Sequence, residues 1–135
     1  MPTVSIYLIR SAFIYLILGI GIGTLLLIDK GFSFAPQIWF LLPIHIELLL
    51  SGWLLQFLMG VAYWMFPKFI TGKTRGNKNV AVTMFILYNL GMIALLSAHL
   101  VTELNSLLIL GRVLHFSSIS CFVFLIWSRI TTYNR

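Results

Sequence analysis

Acid is nearly missing from this chain of 135 residues: three Asp or Glu stand against nine Lys or Arg and three His. No two carboxylates fall at a spacing that would pair them, and there is no HExxH. Metal-dependent hydrolysis therefore lacks its usual motif. Cysteine is down to Cys121 alone, which rules out a disulfide framework, a paired-cysteine zinc site and a CxxCH heme attachment. Charge of either sign makes up only 9% of the chain, while 60% is hydrophobic and the mean hydropathy is +1.02. A water-soluble domain of this length does not have that composition.

What is present is hydrocarbon in four long runs: Ile6 to Ile28, Ile38 to Phe66, Val80 to Val101 and Leu107 to Trp127. Each reaches the roughly 20 residues needed to cross a bilayer. Backbone polar groups in lipid must be paired within their own segment, so the runs are expected as helices. The expected fold is all-α: an integral membrane four-helix transmembrane bundle, with residues 1–135 as a single domain. The first run is too long for a signal-peptide core and is followed by Asp29-Lys30, so it is expected to stay in the membrane.

The basic residues set the expected orientation, because short cytoplasmic loops carry the excess of Lys and Arg. Lys68, Lys73, Arg75 and Lys78 occupy one loop, with Arg10, Arg129 and Arg135 on the same side of an up-and-down topology. Both termini are then cytoplasmic and the chain is a multi-pass protein of the cell inner membrane. The net charge of +6 is mostly this topology signal, and no nucleic-acid role is expected. Gly19 and Gly23 lie mid-span at the spacing of a close helix contact.

Within the second run stands LPIHIELLLSGW, Leu42 to Trp53, where His45 and Glu47 interrupt pure hydrocarbon. His45 begins its helix from the outer face, His99 ends the third helix there, and His115 lies about two turns into the fourth. All three histidines share the outer half. At 100° per residue His45, Gly52, Gln56, Met59, Gly60 and Tyr63 fall in one stripe, with Glu47 nearly opposite. Tyr88, Met92, His99 and Glu103 share a face of the third helix, and Arg112, His115, Ser118 and Phe122 a face of the fourth. Polar residues in a bilayer face a bundle interior or a cavity.

Histidines at matched depth on facing helices point first to heme b, ligated by neutral imidazoles. Arg112 is then a partner for a propionate. A copper or zinc site built from His45, His99 and His115 is the competing metal reading. The residues also allow cross-helix hydrogen bonds, snorkelling of Arg112 and a protonated Glu47 bonded to a carbonyl.

The segment HIELLLSGWLLQFLMGVAYWMFPK, with Tyr88-Asn89-Leu90-Gly91 on the third helix, resembles the heme-copper oxidase subunit I superfamily. The likeness is to its oxygen and nitric oxide reductase branches and their short heme-binding relatives. The resemblance implies an axial heme role for His45. Many short relatives have His-x-His where this chain has His45-Ile46-Glu47, so a second ligand on this helix is not implied. Nor is a complete heme-copper centre, since the catalytic subunit joins several four-helix arcs and this chain supplies one. An arc that assembles with its own copies, as a dimer or trimer, or with a larger respiratory complex is implied instead.

Three functions follow as expectations. The first is a small membrane heme b protein for electron transfer or binding of a diatomic gas, using His45 with His115 or His99, and Gly52 making room beside the macrocycle. The others are a non-catalytic accessory subunit of a respiratory complex and an oligomeric proton or ion channel.

Overall fold

A computed structural model describes residues 1–33, 35–68, 75–101 and 105–133, without the side chains of 128 and 131–133. Lys73, Glu103 and Arg135 lie outside the described residues. The described chain is helical throughout, in the order α1 (Thr3–Phe32), a 3-10 turn (Pro36–Leu41), α2 (Leu42–Glu47), a π-helical segment (Leu48–Leu55), α3 (Gln56–Met65), α4 (Lys78–Leu100) and α5 (Asn105–Tyr133). The pieces from Pro36 to Met65 run on as one second span. Among the described residues four helices are long and apolar enough to cross a bilayer, the makeup of a multi-pass membrane protein.

The first helix outlasts its expected end at Ile28 because Asp29 does not break it. The Asp29 carboxylate is buried in the corner and accepts from Ala35 N–H at 2.7 Å and Trp39 Nε1–H at 2.9 Å. One acid thereby fixes the start of the second span. Ser33 closes α1 with φ at 51°, the left-handed conformation that ends helices. At α4 the Asn77 side chain takes the Asn79 N–H at 2.9 Å and caps the start.

Consecutive spans are antiparallel. Ser5, near the start of α1, donates to the Gly60 carbonyl near the end of the second span, and Ser118 of α5 donates to the Met84 carbonyl of α4 at 2.6 Å. Both termini therefore lie at one end of the bundle. One apolar core fills that end with Leu8, Met59, Tyr63, Met84, Tyr88 and Leu125, and a smaller one toward the other end is built on Ile44, Leu48 and Met92.

Glycine sets how close the helices come. A β-carbon on Gly19 would meet Leu49 at 2.6 Å, and one on Gly60 would meet Ile9 at 2.9 Å. The glycine faces expected to serve close packing do so between α1 and the second span of the same chain. Those contacts are made inside one copy.

At the terminal end two arginines bind the last carbonyls of α3. Arg75 Nη1 donates to Trp64 O at 2.6 Å, with longer bonds to Tyr63 and Phe66. Arg129 donates through Nε to Pro67 O at 2.8 Å and through Nη2 to Tyr63 and Phe66, its guanidinium 5.3 Å from the Tyr63 ring centre. Cations at a helix C-terminus offset its dipole and its unpaired carbonyls. Arg129 lies beyond the apolar part of α5. Burial, and then the charge of Arg75, lower its pKa from the ordinary arginine value, and Tyr63 acts the other way.

Candidate functional site

His45 is the second residue after Pro43 in α2, half-buried, with its ring laid on α1. Nδ1 sits 2.8 Å from the Gly19 carbonyl. A carbonyl only accepts, so Nδ1 must carry the proton and Nε2 of the neutral ring keeps its lone pair. Among the described residues Nε2 has no hydrogen-bond partner. The ring comes this close because residue 23 is glycine: a β-carbon there would lie 2.5 Å from Cε1 and 2.9 Å from Nδ1. His45 lines a cleft of about 400 Å³ between α1 and the second span, with Ile20, Thr24, Leu27 and Leu42 along its walls and Lys30 and Trp39 at the end near the α1 C-terminus.

His115 has the opposite arrangement. It is buried between α4 and α5, its ring stacked on Tyr88 with centroids 4.4 Å apart, and its Nε2 lies 3.1 Å from the Tyr88 carbonyl. Nε2 is therefore the protonated nitrogen. Gly91 makes the seat, since a β-carbon there would fall 2.6 Å from Cδ2. His99 has Nε2 buried, without a hydrogen bond, 4.0 Å from Oε1 of Glu47.

The structure does not bring the three histidines together. Among the described residues no three of His, Cys, Asp and Glu lie close enough to hold a metal ion. Gly52 is buried, and the space a side chain would take is filled by Tyr15 and Met92.

Glu47 faces α4 and α5, away from the α1 side where His45 sits. Its side chain is only 10% exposed. Both carboxylate oxygens meet the Arg112 guanidinium, whose side chain is 56% exposed. Ser51 adds a bond to Oε2 at 3.0 Å. The pairing places Arg112 on a carboxylate of its own chain, where the sequence offered a propionate or the interface.

From Glu47 a line of polar groups runs inward. Ser51 bonds Glu47 through its hydroxyl and accepts from the Tyr88 hydroxyl at its carbonyl, 2.7 Å away. That carbonyl lies in the π-helical segment, where i→i+5 pairing replaces the usual ladder. Deeper in the bundle, Tyr15 donates to Asn89 Oδ1 at 2.9 Å, and Gln56 Nε2 reaches Ser11 Oγ at 2.6 Å and Asn89 Oδ1 at 3.4 Å. Gln56 is fully buried, and its Oε1 has no partner. Sequence spacing marked Gln56, Tyr88 and His115 as inward-facing, and they are. It carried no signal for Tyr15 or Ser11, whose cross-helix partners Asn89 and Gln56 are distant in the chain, and it did not pair Ser51 with Glu47 one turn away.

No family model, curated protein or solved structure matches the chain.

Proposed function

We propose that this protein is a small membrane heme b protein that holds the group in the cleft between α1 and the second span, with His45 as its protein ligand. The observation that carries the reading is the His45 to Gly19 bond. Ligating histidines as a rule donate their other N–H to a carbonyl or carboxylate, which fixes ring and tautomer, and here that bond leaves Nε2 free on an apolar cleft. Lys30 at the cleft end near the α1 C-terminus offers a cation to an acidic substituent, while the Trp39 indole N–H is already held by Asp29. The resemblance of the surrounding segment to the heme-copper oxidase superfamily supports the same residue.

Bound heme supplies one-electron chemistry and affinity for diatomic gases. What this chain supplies is one imidazole, an apolar wall that excludes water and a cation at the rim. His115 is buried between α4 and α5 under the Tyr88 ring and His99 lies beside Glu47, away from the α1 side where His45 sits, so neither joins His45 within one copy. Within one copy His45 would be the single protein ligand, so the bound group would be able to take a gas molecule or a histidine of a second copy. Of the two expected roles, gas binding is favoured for the lone chain. Both termini are assigned to the cytoplasm, from the basic loop around Lys68 and Lys78.

The test is a visible spectrum of detergent-purified protein expressed with ample heme. A Soret band that shifts with carbon monoxide, and is lost in His45→Ala, is the expected result. No band in the wild type, or an unchanged band in His45→Ala, would sink the proposal.

A second reading, proton or ion passage, is favoured by the line from Arg112 and Glu47 through Ser51 to Tyr88, with Tyr15, Asn89, Gln56 and Ser11 below it. It expects a pH gradient across liposomes to dissipate faster with wild-type protein than with Glu47→Gln.

A further inference from the structure

The terminal end of the bundle holds another cleft, remote from His45. It measures about 390 Å³ and is lined by Thr3 and Tyr7 of α1 and by Lys78, Val82, Phe85 and Ile86 of α4. Lys78, Val82 and Ile86 follow at i, i+4 and i+8, so they stack on one face of α4. The first is charged and exposed at the helix start. The other two are exposed hydrocarbon one and two turns further into the span. The Tyr7 and Phe85 rings, 5.9 Å apart, close the space between the helices. The cleft is thus cationic at its mouth, apolar inside and open sideways to lipid.

The field at the mouth has one sign. Both helices that form it start there, with no acid in either first turn, so their positive ends are not neutralised. Asp29 and Glu47, the two acids among the described residues, lie toward the other end. Lys68, Arg75 and Arg129 add further positive charge to the terminal end.

We propose that this cleft seats one anionic phospholipid, its phosphodiester at Lys78 and an acyl chain along Val82, Phe85 and Ile86. A single anionic head satisfies the uncompensated cation, whereas a zwitterionic head brings its own ammonium against it. The apolar part excludes free phosphate as the natural occupant.

The experiment uses the full chain in mild detergent, incubated with equal amounts of phosphatidylglycerol and phosphatidylcholine, with bound lipid counted by native mass spectrometry. Phosphatidylglycerol should be retained about fivefold over phosphatidylcholine, the factor expected for one lysine at an anionic surface. Lys78→Gln should bring the ratio near one, and Val82→Trp, which fills the groove, should lose both lipids while circular dichroism still reports helix. Excess inorganic phosphate should release neither. Equal retention by the wild type, an unchanged ratio in Lys78→Gln, or release by phosphate would each overturn the proposal. Lys78 is exposed, so that variant carries the test even if Val82→Trp fails to fold.

Discussion

Two histidines with the same side chain become opposite instruments when different ring nitrogens face a carbonyl. His45 gives its Nδ1 proton to Gly19 and keeps Nε2 open, whereas His115 gives its Nε2 proton to Tyr88 and is sealed under a stacked ring. The two should separate in a spectrum. His45→Ala is expected to abolish heme binding, and His115→Ala to keep the Soret band while lowering the melting temperature through loss of one hydrogen bond and a ring contact, about 1–2 kcal/mol. Absorbance and thermal melting of the two variants check this. Glu47 and Arg112 make a second residue-scale case. Removing one partner of a buried pair costs about 3–5 kcal/mol, but the Arg112 side chain is 56% exposed. Glu47→Ala and Arg112→Ala should therefore each cost about 1–2 kcal/mol. The double variant should cost less than their sum in thermal melts. The sequence placed both residues in the outer half but held no sign that they pair, because they stand 65 positions apart.

Among the elements, the four spans were legible because apolar length alone reports them. Their ends were not, since helices run past the hydrocarbon edge wherever a local group takes over the loose backbone. Asp29 does this after α1, and Asn77 before α4. The glycines were read correctly as contact points, and only the structure tells which contacts. A β-carbon on Gly111 would lie 3.0 Å from the Gly91 carbonyl oxygen, and one on Gly91 3.1 Å from that of Gly111. Backbone cannot yield as a side chain tip does, so Gly111→Ala should push α4 and α5 apart at a cost of about 1–3 kcal/mol. Gly21 has nothing within 4 Å of its β position. Gly21→Ala should leave stability unchanged or raise it by about 0.5–1 kcal/mol, from better helix propensity. Parallel melting curves of the two alanine variants decide between these signs.

For the whole molecule, the alternating spans put both termini and the Lys68 and Lys78 side chains at one end. The positive-inside rule turns that shared end into an orientation. A Cys121→Ser background carrying Lys68→Cys should react with a membrane-impermeant maleimide only after the cell membrane is opened. Reaction in intact cells would reverse the assignment. Assembly is the level at which the sequence spoke least. Gly19, Gly23, Gly52 and Gly60 each lie against side chains of their own chain, across α1 and the second span, with Met92 of α4 also at Gly52. The lipid-facing remainder is rich in Ile, Leu and Phe, which no sequence pattern tells apart from a protein contact in hydrocarbon.

The π-helical segment makes the second span two separately phased rods. Each residue of an α-helix turns the chain by about 100°, so one residue added or removed between Leu48 and Leu55 would rotate everything above it against everything below. His45 and Glu47 belong to the upper rod; Gln56, Gly60 and Tyr63 belong to the lower. A single deletion there would leave length, composition and hydropathy nearly untouched, and the chain would still insert. It would swing the imidazole off Gly19 and the carboxylate off Arg112 together. Variation at this one turn can thus re-aim both groups while the lower half of the bundle stays packed.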